Sequence, residues 1–168
     1  RLVPANLRDP QGKWYALTRR ARVPIVNPDI VDPSSIKSYA DLANPALKGK
    51  LCLRNRKSPY NQSLVADQII LRGEAATAKW IRGMANNVSQ EFFPKDTPQV
   101  QAVGKGKCGV AVVNTYYVGR MLAGRKGEAN KALAEKVKVV FPNPTHVNVS
   151  GAGVTASSDN PQAALKLI

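Results

Sequence analysis

Three tyrosines carry the chemistry best specified by the residues of this 168-residue chain. Tyr60 follows Ser58-Pro59, and Tyr116 and Tyr117 follow Asn114-Thr115. Each group comes just after a strand-like apolar run and is introduced by a good helix N-cap, with proline at the first helical position in the first case. Adjacent side chains of a strand point to opposite faces, but in a helix they diverge by only about 100°. A helical first turn therefore lets Tyr116 and Tyr117 reach one ligand. A phenol loses its proton at about pH 10, so ionisation at neutral pH needs local positive charge; helix N-termini supply a little and a bound metal cation far more. Phenolate is a hard anionic oxygen donor, and several such donors best match a small, highly charged ion such as Fe(III). The same residues also fit plain packing, a buried Tyr-Tyr pair with its hydroxyls on neighbouring carbonyls.

The elements that must position these tyrosines are read from periodicity and punctuation. Lys13 to Asn27 is β-branched and aromatic, partly alternating, and bounded by turn residues, which predicts a long strand. Ser34 to Leu47 carries a short helical pattern. From residue 51 the expectation is strand 51–54, helices 59–71, 74–85 and 97–104, strand 108–113, helices 115–123 and 128–135, and strand 137–141. Strands separated by helices predict a parallel α/β sheet, and both tyrosine loops then lie at the carboxyl ends of parallel strands, where open sheets bind ligands. His146 to Ala156 reads as one more strand, and Asn160-Pro161 opens a final helix.

Composition narrows the classes. Hydrophobic residues make up 43% and charged residues 21% of the chain, and no apolar run approaches the roughly 18 residues of a membrane span. The formal net charge is +14, which raises a nucleic-acid reading. The excess is spread: the first sixty residues hold twelve basic and four acidic side chains, the remainder thirteen and seven. The densest groups, Arg19-Arg20-Arg22 and Arg54-Arg56-Lys57, are too short for a basic arm and lack interleaved stacking aromatics, so no nucleic-acid partner is expected. The first residue is Arg1, and Ile168 ends the chain inside a helix-like stretch, so both ends read as cut.

The run Lys107 to Val113 followed by Asn114-Thr115-Tyr116-Tyr117-Val118-Gly119-Arg120 resembles the paired-tyrosine signature of bacterial ferric-iron-binding proteins, the substrate-binding components of iron(III) ABC transporters. Trp14 to Val23, Tyr39 to Lys50, Cys52-Leu53-Arg54 with Tyr60 to Leu64, and His146 to Thr155 resemble family segments in the same order, over nearly the whole chain. The resemblance implies a type 2 periplasmic-binding-protein fold, α/β, with the second lobe and hinge strands present and the first lobe largely missing. On that reading residues 1–36 hold a hinge-crossing strand and part of the first lobe, 37–142 the second lobe, and 143–168 the return strand and a truncated part of the first lobe. It further implies an extracytoplasmic monomer that binds Fe(III) in an interlobe cleft, with or without a synergistic anion such as carbonate, and delivers it to an inner-membrane ABC transporter permease. Tyr60, Tyr116 and Tyr117 would be the metal ligands. Arg54 and Arg120 would supply positive charge or bind the anion, and Ser58 and Asn114 would cap helices while facing the site.

Cys52 and Cys108 each fall early in a strand of that lobe's sheet; if those strands are neighbours a disulfide is sterically possible, and a disulfide and two buried thiols both remain open. His146, the only histidine, is placed on the return strand away from the tyrosines and is given a structural role. No carboxylate stands in either tyrosine loop, so no paired acid and base supports catalysis and the expectation is a binder, not an enzyme. Two other readings compete: a related binding protein for an oxyanion or polyamine, and, further off, a basic nucleic-acid-binding module.

Overall fold

The computed structural model describes residues 3–168. They divide at 20/21 and 146/147 into a larger unit, Ala21–His146, and a smaller one made of the residues up to Arg20 together with Val147–Ile168. The sequence reading puts its boundaries at 36/37 and 142/143. Residues 21–36 fall in the larger unit because Val23, Ile25 and Val26 are buried in its sheet, and Val31 and Ile36 in its core. His146 falls there too, bonded to Tyr39 and Ser63.

The larger unit is organised on a sheet of order β2-β3-β1-β4, with β1 at Tyr15–Val26, β2 at Leu51–Cys52, β3 at Val110–Asn114 and β4 at Lys138–Val139. Every residue of β3 is buried, as expected of a central strand covered on both faces. Side chains alternate between two cores. Ile25, Cys52, Ala111 and Val113 point into one, with Val100, Val103, Val118 and Met121. Val26, Leu51, Val110 and Val112 point into the other, with Leu42, Leu64, Trp80 and Met84. The first layer is built by α3 (Asp96–Gly104), α4 (Thr115–Leu122) and α5 (Glu128–Glu135), the second by α1 (Pro59–Arg72), α2 (Glu74–Asn86) and three 3₁₀ turns. No helix of the described residues is long and apolar enough to cross a membrane.

The sheet is mixed, not parallel. Leu51 and Cys52 pair in parallel with Val110 and Ala111, but β1 runs antiparallel to both β3 and β4. The expected helix in 34–47 is replaced by 3₁₀ turns at Pro33–Ser35, Tyr39–Ala43 and Pro45–Leu47. Asp32 and Asn44 each cap a turn that begins with proline, and Ser38 with Asp41 forms a capping box between them, so the segment restarts every few residues. Strands 51–54 and 137–141 contract to two ladder residues each, Arg54 keeping only an isolated bridge to Phe93. Cys52 and Cys108 are joined as a disulfide with a Cα separation of 5.9 Å.

In the smaller unit β5 (Val147–Ala152) pairs with β1, and Arg20 Nη1 donates to Ser150 Oγ at 2.7 Å. Gly153 has to be glycine here, since a Cβ would stand 2.4 Å from the Lys13 carbonyl oxygen. The closing helix α6 (Pro161–Leu167) is capped by Asn160, whose Oδ1 accepts from the Ala163 N–H. No described side chain of this unit is buried.

Candidate functional site

Parallel pairing of β2 and β3 sends both strands out at the same edge of the sheet, so α1 and α4 begin side by side. Pro59 occupies the first turn of α1, where a missing N–H costs nothing, and the N–H groups of Asn61 and Gln62 donate to the Ser58 carbonyl. Thr115 starts α4 directly from the last residue of β3. Tyr60 and Tyr116 consequently meet: Tyr116 Oη donates to Tyr60 Oη at 3.4 Å. Tyr117 lies against Tyr116, ring centroids 4.3 Å apart and planes tilted by 31°, and it also packs on the core that includes Val118 and Met121. All three rings are half-buried.

Cations sit over two of these rings. Arg54 Cζ is 5.3 Å and Arg22 Cζ 5.8 Å from the Tyr60 centroid, and Arg120 Cζ is 5.1 Å from that of Tyr116. Sequence reasoning singled out Arg54 and Arg120 but not Arg22, which is fully buried. Arg22 Nη1 donates to Asp96 Oδ2 (2.9 Å) and Asn114 Oδ1 (3.3 Å), and Nη2 to Asn61 Oδ1 (2.7 Å) and the Val112 carbonyl (3.0 Å). That carbonyl is open to side chains because β2 ends at Cys52, opposite Ala111. Burial pushes the Arg22 guanidinium down from its ordinary range while Asp96 opposes the shift, and an arginine so placed keeps its charge at neutral pH. The local signal for Arg22 was only its place as the last charge of the Arg19-Arg20-Arg22 group, directly ahead of the run Val23–Val26; for Asp96 it was an acid at the first turn of a helix.

Ser58 and Asn114 depart from their expected capping role. Neither side chain makes a cap hydrogen bond. Asn114 Oδ1 is taken by Arg22, and Ser58 Oγ and Asn114 Nδ2 are buried polar atoms with no protein partner. His146 is engaged elsewhere on α1, with Nε2 3.1 Å from Ser63 Oγ and Nδ1 3.6 Å from Asp67 Oδ1. Among the described residues no group of three or more His, Cys, Asp or Glu side chains could hold a metal ion. What converges at the helix starts is therefore phenol oxygen, with fixed positive charge behind it.

A family model for bacterial extracellular solute-binding proteins matches residues 2–168. Iron uptake protein A1 of Synechocystis sp. is 42% identical over 170 residues, covering 99% of this chain and 47% of the relative. The Fe(3+)-binding periplasmic protein of Serratia marcescens is 29% identical, covering 99% and 48%. Among solved structures, a Trichodesmium protein (IdiA, FutA) in complex with iron and citrate ligands superposes with a TM-score of 0.91 at 38% identity, covering 98% of this chain and 53% of that one. The ferric binding protein from Campylobacter jejuni gives 0.90 at 34% identity, covering 98% and 53%. The chain thus spans about half the length of the relatives it matches. Its fold is the type 2 periplasmic-binding-protein fold. With nearly every residue inside the family model, the chain belongs to the bacterial extracellular solute-binding protein family.

Proposed function

We propose that this protein binds Fe(III) outside the cytoplasm through the phenolates of Tyr60, Tyr116 and Tyr117 and delivers it to an inner-membrane ABC transporter permease, without turnover. The observation that carries the reading is the 3.4 Å approach of the Tyr60 and Tyr116 hydroxyls at two adjacent helix starts, with Tyr117 against Tyr116. Two oxygens each about 2 Å from one small ion would stand about 2.8 Å apart at a right angle, so a shift of a few tenths of an ångström in each ring brings both onto one ion. Binding would displace the phenol protons, as metal binding does for any titratable ligand.

Three phenolates are fewer than the six donors of an octahedral oxygen site, so other donors complete the shell. Ser58 Oγ and Asn114 Nδ2, buried without a protein partner, suit an anion such as carbonate beside the ion, and the arginines add charge of the right sign. The names of the related proteins, iron uptake and ferric binding, support iron as the cargo. The cations over Tyr60 and Tyr116 weigh against a polyamine.

The test is optical. Loading the protein with ferric ion should give a visible phenolate-to-iron charge-transfer band, weakened by Tyr60→Phe and lost in Tyr116→Phe with Tyr117→Phe. No band in the parent protein, or a band unchanged in the double variant, would refute the assignment; calorimetric heat from phosphate alone, without metal, would favour an oxyanion cargo.

A further inference from the structure

We infer that Asp96 is a positioning residue for the tyrosine site, a single buried carboxylate that sets the distance between Tyr60 and Tyr116. The inference rests on the ferric reading above for its consequence, but not for its geometry. Asp96 is fully buried at the first turn of α3, and both its oxygens are used twice. Oδ2 accepts from Arg22 Nη1 (2.9 Å) and from the Asn114 backbone N–H (3.0 Å). Oδ1 accepts from Arg54 Nη1 (3.1 Å) and Gln99 Nε2 (3.4 Å). These donors come from β1, from the end of β3, from the segment after β2 and from α3 itself. Through Arg22 the carboxylate reaches Asn61, the residue next to Tyr60; through its own bond it holds Asn114, two residues before Tyr116.

Stability alone does not account for such a centre. A buried ion pair is often replaceable by apolar side chains of similar volume with no loss of stability, whereas breaking it by removing one partner is costly. What apolar replacements would not reproduce is direction: four donors converging on one carboxylate fix two chain segments relative to each other. Asp96 acts on the tyrosines only through Arg22, Arg54 and Asn114.

The experiment uses protein labelled with 3-fluorotyrosine and ¹⁹F NMR on the metal-free form, with Tyr15 of the smaller unit as internal reference. Two changes are compared, Asp96→Asn and the paired apolar replacement Arg22→Met with Asp96→Leu. In either, the Tyr60 and Tyr116 resonances should shift and broaden while Tyr15 stays in place, and ferric ion should pass to a competing chelator about 10- to 100-fold faster. A folded variant with parental Tyr60 and Tyr116 resonances overturns the inference. If neither folds, Arg54→Gln decides, since its side chain is 14% exposed and the change leaves the Arg22 pair intact; because Arg54 itself lies over the Tyr60 ring, the readout is Tyr116, which should move, and an unmoved Tyr116 counts against Asp96. Because the fluorine readout needs no metal, absence of a charge-transfer band in the parent protein sinks the ferric reading and leaves the positioning result standing.

Discussion

Reducing the Cys52–Cys108 bridge should destabilise the larger unit by about 4 kcal/mol. The bridge spans 56 residues, and the chain-entropy relation for cross-links gives about 4 kcal/mol at 25 °C for a closed loop of that size. That is a large part of the roughly 5–15 kcal/mol by which domains are stable, and corresponds to a fall in Tm of about 8–16 °C for a chain of this length. Equilibrium urea unfolding with and without dithiothreitol is the direct assay, because the two thiols occupy nearly the volume of the bridge and no cavity is introduced. The reduced chain should also unfold with a larger m value, its denatured state being free to expand. Both cysteines are buried, at 0% and 2% exposure, so reductant should act only on molecules that have opened, and the native protein should resist it. Unfolding free energies differing by less than about 1 kcal/mol between the two states would refute the loop argument, and rapid reduction of the folded protein would refute the burial argument. Each cysteine lies eight residues ahead of a site tyrosine, Cys52 before Tyr60 and Cys108 before Tyr116, so loss of the bridge also loosens the pair of strands from which both tyrosine helices spring.

Two glycines make a contrasting pair. A Cβ on Gly104 would stand 2.4 Å from the Leu133 carbonyl oxygen, so Gly104→Ala should cost about 1–3 kcal/mol by forcing α3 from α5, whereas nothing lies within 4 Å of a Cβ on Gly119, and Gly119→Ala should stabilise α4 by about 0.8–1 kcal/mol; urea midpoints read both. Tyr39 Oη donates to the Arg22 carbonyl and accepts from the His146 N–H, and burial pushes its phenol up to about 12. An unfolded phenol ionises at about 10, so its contribution is full below about pH 10 and lost as pH rises through about 12; circular dichroism in alkali should show that decline, and Tyr39→Phe should remove it. Asn160→Ala removes the cap of α6, and amide exchange in that helix should quicken about fivefold, as a loss of about 1 kcal/mol requires.

Much of the site was readable locally because its placement is local. Pro59 at a first turn, an asparagine at the end of a buried apolar strand, and parallel strands feeding helices suffice to bring Tyr60 and the Tyr116–Tyr117 pair to one edge. The antiparallel direction of β1 was not readable, since a strand carries no mark of its partner's direction until the connection is known. The same limit hid the buried charges. Arg22 and Asp96 are 74 residues apart, and in sequence Arg22 looks like one more member of a basic run while Asp96 looks like an ordinary acid at a helix start. The supposed caps failed for a related reason: Asn114 has the right type and position to cap α4, but a long-range donor, Arg22, takes its oxygen.

The net charge of +14 bears on the site only through where a few of its members lie. Most arginines and lysines are solvated, where screening leaves them little influence on a particular ring. Arg22 is instead buried beneath Tyr60, and Arg54 is mostly covered, both held by Asp96. The tyrosine turns are thus secured at both ends of one strand pair, covalently at residues 52 and 108 and electrostatically at 54, 96 and 114. On the ferric reading proposed above, an ion reaching these phenols would meet donors whose ordering cost was met in folding, which is the condition for tight binding by few groups. On that reading, loosening either end should therefore quicken ligand release as well as lower the stability of the larger unit.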